Sequence, residues 1–220
     1  MIPVSLPAPP ARYQFEVRAR GRIFLAGTPH PTSEEWNRHN YWQEIHMDLY
    51  VGHQGVCVYC ASWTPRPSGQ RLSDHTTIDH FVPKSRNEQL AYQWSNFRLV
   101  RSKLNRRKDI FEDVIDPCAL QPGWFRIDFT TFLLKPDNNL PAEAQDRINA
   151  TINRLQLNDD PDYVNERARV IFRYAAGLIA FLDVQRLYPF IASEMIAINF
   201  DVTLKPSFLA ALAKRPSLVN

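Results

Sequence analysis

Between residues 76 and 111 the chain changes its pattern twice, and any fold has to accommodate both changes. Thr76-Thr77-Ile78-Asp79-His80-Phe81 is β-branched and aromatic and predicts a strand. Asn96 to Val100 predicts a second strand or its approach, and Ser102 to Phe111 predicts a helix. The flanks read differently. Residues 1–31 are Pro-rich and irregular, with a short strand expected around Arg22-Ile23-Phe24-Leu25. A helix is expected to open at Thr32-Ser33-Glu34-Glu35, where Thr32 and Glu35 have capping-box spacing, and to carry Trp42, Ile45 and Leu49 on one face. Gly55 to Cys60 predicts a knuckle-like turn, 61–75 a polar loop, and Trp124 to Phe132 another short strand.

The last third reads as helical. Pro141 opens one helix with Ala144, Ile148, Ile152 and Leu155 on a stripe. Asp160-Pro161 opens a longer one, with Val164, Ala168, Ile171, Ala175, Leu178 and Leu182 at helical spacing. These stripes are expected to be core and to hold no cofactor. The order predicts an α+β protein: an N-terminal segment with a helix over 1–54, a mixed core over 55–115 and a mainly helical region over 116–220, folded as one compact unit. At 45% hydrophobic and 22% charged residues, the chain has the make-up of a globular protein with a core to bury.

Charge is unevenly placed. From residue 84 to residue 108 eight cations face one acid, Glu88, a local +7 inside a chain of formal net charge +3, so the rest carries −4. Such a concentration suits a polyanion-binding face, with a solvated basic helix as the plainer alternative. Cys57, Cys60 and Cys118 are an odd set with one tight C-x-x-C pair, which argues against a disulfide scaffold and for a reducing compartment. Met1 to Pro7 has no charged stretch leading into an apolar one, and the longest apolar run, Ala175 to Leu182, is too short to cross a bilayer. A cytoplasmic location with no membrane association is expected.

The polar residues inside the basic region carry the chemistry. Asp79 beside His80, Trp94-Ser95-Asn96, then Leu104-Asn105-Arg106-Arg107-Lys108 bring together a carboxylate, an imidazole and two carboxamides. A hard divalent cation takes a few oxygen ligands and keeps several waters, which the Asp79 carboxylate and the Asn105 carbonyl suit. An imidazole with an ordinary pKa near ~6.5 is mostly neutral at cellular pH and can accept a proton. Each residue also has an ordinary reading: His80 as a structural histidine, Asn105 as a helix cap, Asn96 as a turn residue, His75 as an exposed-loop histidine. The conjunction in this order favours the chemical reading. Asp79 and His80 are neighbours on one strand and point to opposite faces, so they share a site only if a kink or bulge re-aims one of them.

The motif resembles the HNH endonuclease family, whose ββα-metal fold sets a histidine on a hairpin strand and its metal partners on that strand and the following helix. The resemblance implies His80 as the general base, Asp79 and Asn105 as ligands of Mg²⁺ or Mn²⁺, and Asn96 as the residue that pins the hairpin loop. It makes His80, Asp79, Asn96 and Asn105 the catalytic set. Lys108, one turn beyond Asn105, is expected to hold a substrate phosphate, with Lys84, Arg101, Arg106 and Arg107 as contacts to the nucleic-acid backbone. DNA is the expected partner, with RNA left open.

Many HNH proteins carry two C-x-x-C knuckles that bind a structural zinc. Here the first is Cys57-Val58-Tyr59-Cys60, and the second would fall at Arg101 and Leu104, where there is no cysteine. Two thiolates do not close a tetrahedral zinc site. The pair is expected to be a metal-free remnant in which Leu104 fills the space by burial; Cys118 or a histidine would otherwise have to complete the set. Phe24-Leu25, Trp36, Tyr41-Trp42, Leu49-Tyr50, Leu155-Gln156-Leu157-Asn158 and Arg167 are similar to small prokaryotic HNH proteins of Septu- and retron-type anti-phage systems, which implies an ATPase partner. The sequence leaves two alternatives open: a catalytically silent nucleic-acid-binding or adaptor subunit, and a structural zinc module.

Overall fold

In the computed structural model residues 1–65, 75–215 and 217 are described. The loop expected over 61–75 lies largely outside them. The chain forms two compact units: one of Val4–Tyr59 with Trp63–Glu112, the other of Met1–Pro3, Cys60–Ser62 and Asp113–Asn220. The fold is α+β, as the pattern predicts, with two small antiparallel sheets among many helices.

The first unit is built on a hairpin. Strand β1 (Thr76–His80) pairs antiparallel with β2 (Phe97–Arg101) in an unbroken register from Thr76 opposite Arg101 to His80 opposite Phe97. A helix (Ser102–Lys108) follows β2 directly and packs on both strands. It ends at Lys108 and not at Phe111, because Asp109 takes up φ 46°, ψ −127°.

The N-terminal segment wraps this hairpin. Residues expected to form a strand are helical: a wide-wound π-helical stretch (Gln14–Ala19) runs into α1 (Arg20–Gly27), and Arg22–Leu25 lies within it. The reason is tertiary. Val17, Gly21 and Leu25 recur at helical spacing and are buried, and a Cβ on Gly21 would lie 2.1 Å from the Tyr92 ring, so the helix approaches that ring as only glycine permits. The helix expected from Thr32 is broken into α2 (Ser33–Arg38), a 3₁₀ turn (Tyr41–Ile45) and α3 (His46–Gly52). Its capping box is present, and Trp42, Ile45 and Leu49 are all buried. We number the helix after β2 α4.

An aromatic cluster joins these pieces. Tyr13 donates its hydroxyl to the Tyr92 carbonyl at 2.9 Å and accepts from the Trp94 amide at 2.8 Å. Trp36, Trp42 and Tyr92 stand with ring centres 5.7 to 6.2 Å apart. Between α3 and β1, Gly55 turns the chain at φ +73° where a Cβ would meet the Tyr50 hydroxyl. The turn after it is tied to β2, with the Val58 amide donating to the Leu99 carbonyl at 2.9 Å.

In the second unit β3 (Phe125–Ile127) pairs with β4 (Leu134–Pro136), shorter than the strand expected over 124–132. Helix α5 (Ala142–Leu155) buries Ile148, Ile152 and Leu155, and α6 (Pro161–Ala175) is capped by the Asp160 carboxylate. Then follow α7 (Phe181–Leu187), α8 (Pro189–Ala197), α9 (Phe200–Thr203) and α10 (Lys205–Lys214). The expected long stripe stops at Ala175 because Gly177 turns at φ +73°, which leaves Leu178 and Leu182 exposed. Buried Arg167 donates to the carbonyls of Phe132 and Leu157, while Asn158 exchanges two hydrogen bonds with Leu134. No helix among the described residues is long and apolar enough to cross a membrane.

Candidate active site

His80 is the last residue of β1, and its side chain is held on three sides. Trp42 meets the ring edge-on at 4.7 Å and Phe97 at 5.4 Å. Nε2 lies 2.8 Å from the Ala91 carbonyl oxygen. A carbonyl can only accept, so Nε2 carries the hydrogen and Nδ1 the lone pair. Burial, followed by the positive charge of Lys84, pushes the His80 pKa down from its ordinary 6.5 to about 3. The imidazole is therefore neutral across the physiological range.

Asp79 lies on the other face of the strand, 3% exposed. One carboxylate oxygen accepts the Tyr59 hydroxyl at 2.6 Å, and the other lies 3.3 Å from the Lys108 ammonium. Burial pushes the Asp79 carboxyl up, opposed by Lys108 and by the Tyr59 hydrogen bond. Lys108 is fully buried and also donates to the His80 carbonyl at 3.1 Å. Asn105, one turn earlier on α4, donates its amide to the Ile78 carbonyl at 3.3 Å, which turns its side-chain carbonyl away from that strand.

Asn96 sits at the base of the long connection between β1 and β2. Its carbonyl accepts the Val82 amide at 2.7 Å, and its amide donates to the carbonyls of Val82 and Leu90 at 2.9 and 3.2 Å. These bonds close the loop that carries Ala91, the partner of His80. Asn96 therefore acts on the site through the backbone.

Asp79, His80 and Asn105 border one cleft of about 490 Å³, with Lys84, Arg106 and Asp109 at its edge and Trp36, Trp42 and Gln43 along a wall. Burial lowers the Lys84 pKa, against the pull of Asp79 and Asp109. The kink or bulge that the HNH resemblance implies near His80 is not present in the β1–β2 ladder. The ladder is regular through His80, and Asp79 and His80 both line the cleft.

The basic region is thinner than its sequence suggests. Arg98, Arg101 and Lys108 point inward; Arg101 donates to the Thr64 hydroxyl at 2.9 Å and to the Trp63 carbonyl at 2.9 Å. Arg101 and Lys108 are thus committed within the fold and not offered to a polyanion, because a buried cation without a partner would be costly. Lys84 and Arg107 are half-buried and Arg106 is exposed. Sequence reasoning missed Tyr59, Trp42 and Asp109 as members of the site. Only the place of Tyr59 inside the C-x-x-C turn offered a signal.

The cysteine pair is split in its surroundings. Cys57 is buried and its sulfur accepts the Arg101 amide at 3.3 Å, whereas Cys60 is half-buried. Leu104 is fully buried. Cys118 is exposed, and His75 is exposed with its carbonyl accepting the Ser102 amide. Among the described residues no group of three or more His, Cys, Asp or Glu side chains gathers as a metal site.

No protein-family model matches the chain, and no curated protein does either. The functional reading therefore rests on the geometry of the cleft and on the motif.

The donors on the cleft suit a hard cation. Asp79 and Asn105 would offer it one anionic and one neutral oxygen, although both Asp79 oxygens already have partners in Tyr59 and Lys108. Mg²⁺ is commonly held by one or two carboxylates together with waters and substrate phosphate, so the pair fits such an ion.

Proposed function

We propose that the chain is a metal-dependent endonuclease of the HNH class, hydrolysing phosphodiester bonds in DNA, with β1, β2 and α4 as its ββα-metal core. The observation that carries this reading is His80: a neutral imidazole, its Nε2–H fixed on the Ala91 carbonyl, bordering the same cleft as Asp79 and Asn105. A structural histidine needs a partner for its polar atoms, but it needs no carboxylate and carboxamide on one cleft beside it.

In this mechanism His80 takes a proton from water at Nδ1 as the water attacks phosphorus. Its low conjugate-acid pKa keeps it receptive, and an arriving phosphodiester anion, offsetting Lys84 and Lys108, moves that pKa back up in the complex. Asp79 and Asn105 would hold a Mg²⁺ or Mn²⁺ ion, which supplies charge stabilisation to the phosphate oxygens and to the departing 3′-oxygen. Tyr59 orients Asp79, and Asn96 fixes the loop that orients His80. Lys84 and Arg106 meet the phosphate backbone at the cleft edge. A role in anti-phage defence beside an ATPase belongs to the same proposal and rests on the sequence resemblance.

The test is incubation of supercoiled plasmid with the protein in Mg²⁺ or Mn²⁺ and in EDTA. Wild type is expected to nick or linearise the plasmid only with metal. His80→Gln should lower the rate by roughly 10²–10⁴-fold. Metal-independent cleavage, or a His80→Gln rate equal to wild type, removes this reading; binding without cleavage favours the adaptor.

A further inference from the structure

The Lys108 ammonium is fully buried and lies 3.3 Å from Asp79, 3.1 Å from the His80 carbonyl and 5.6 Å from the centre of the Phe81 ring. The other Asp79 oxygen is taken by Tyr59. The one carboxylate on which the nuclease reading depends for metal thus already has a cation of the protein's own. We propose that Lys108 is a built-in counter-cation at Asp79 that couples divalent-metal binding to the arrival of a phosphodiester. The inference rests on the nuclease reading and adds a control to that site.

The physical reason is charge balance in a partly dry place. Asp79 and Lys108 cancel each other, and Lys84 and Arg106 against Asp109 leave the cleft one positive charge in excess. A dication on the Asp79 carboxylate meets an ammonium on the same carboxylate, and the repulsion scales with the doubled charge and with the low local dielectric. Lys108 itself is fully buried and stays on Asp79 and the His80 carbonyl, so it acts on the cleft through its charge and not through a contact with substrate. A phosphodiester then adds the missing negative charge beside both cations. Metal and substrate each raise the affinity of the other, by the same factor. The consequence is a nuclease that holds its ion firmly only on nucleic acid.

Mn²⁺ binding, read by electron paramagnetic resonance of the free ion, tests this without any cleavage. The probe is thymidine dinucleotide, with Asp79→Asn protein as the background for ion held elsewhere or by the dinucleotide itself. In wild type the dinucleotide is expected to tighten Mn²⁺ binding by about tenfold or more. Lys108→Met without dinucleotide should bind Mn²⁺ roughly tenfold tighter than wild type and lose most of the coupling. Tyr59→Phe, which removes a neutral donor from the same carboxylate, should keep the coupling. Wild-type affinity unmoved by the dinucleotide overturns the proposal, as does a folded Lys108→Met protein that binds no tighter. Should Lys108→Met not fold, the wild-type comparison decides alone. The two readings fail separately: binding lost in Asp79→Asn but indifferent to dinucleotide sinks only the role of Lys108. Binding unchanged in Asp79→Asn, or absent from every protein, sinks the metal site and the coupling together.

Discussion

Lowering the pH from 6.5 toward 3 should destabilise the first unit, and the share due to His80 can be isolated. Unfolded, His80 takes up a proton as the pH falls through its ordinary value of 6.5; folded, it resists until about 3. The unfolded state therefore binds more protons throughout that window, so stability is fully present above 6.5 and is lost on acidification. Each pH unit removes roughly 1.4 kcal/mol, up to about 5 kcal/mol across the window. His53, held at about 4 by burial, acts in the same direction, and Asp79 in the opposite one. Comparing wild type with His80→Gln cancels these common contributions. Urea unfolding at a series of pH values between 7 and 4 should give wild type a steeper loss, by about 1.4 kcal/mol per pH unit below pH ~6. The two proteins having the same pH slope would refute the buried, neutral assignment. On the nuclease reading, kcat/KM for cleavage should likewise show no acid limb at the ordinary histidine value, because that limb reports the free enzyme.

Asn96→Ala removes three hydrogen bonds and leaves the Val82 amide without its partner; unfolding titrations should show a loss of about 2–4 kcal/mol, and a loss under ~0.5 would mean the loop closes by other means. Asp109 has the backbone of a glycine, so Asp109→Gly should raise stability by about 1 kcal/mol in the same titration, and a fall would show that its side chain does more for the fold than its strain costs. Arg106→Ala with Arg107→Ala should lower the magnitude of the log affinity versus log salt slope on duplex DNA by about 0.9 for each phosphate no longer neutralised; an unchanged slope assigns both side chains to solvent or to a protein partner.

Local pattern made some elements legible and tertiary packing hid others. The succession of strand, strand and helix could be read because β-branched residues crowd 76–81 and a basic, helix-favouring run follows Val100. The helix over Arg20–Gly27 could not, because Ile23-Phe24-Leu25 reads as a strand until Gly21 is set against Tyr92, a residue far along the chain. The basic region misled for a related reason. Charge counted along a sequence does not say which cations turn inward, and Arg98, Arg101 and Lys108 do so because hydroxyl, carbonyl and carboxylate partners from other elements await them.

Asp79 and His80, neighbours on one strand, line one cleft without any distortion of the ladder. Alternation sends their side chains to opposite faces, and the regular register through His80 opposite Phe97 keeps it so. What joins them is the end of the strand. Helix α4 brings Lys108 to Asp79 and Asn105 to the Ile78 carbonyl; the N-terminal segment brings Trp42 to His80, and the connecting loop brings Ala91. Residues of both groups, Trp42 and Asn105 among them, line the one cleft with Asp79 and His80. On the nuclease reading metal ligation and proton acceptance would thereby be separated by a backbone; the Asp79 carboxylate accepts hydrogen bonds from Tyr59 and Lys108 and not from the imidazole. A direct Asp–His hydrogen bond would raise the histidine pKa; here burial and two lysines keep it low. Burial first and Lys84 second keep His80 neutral, and the strand's alternation leaves Asp79 on the other face, where it does not oppose them.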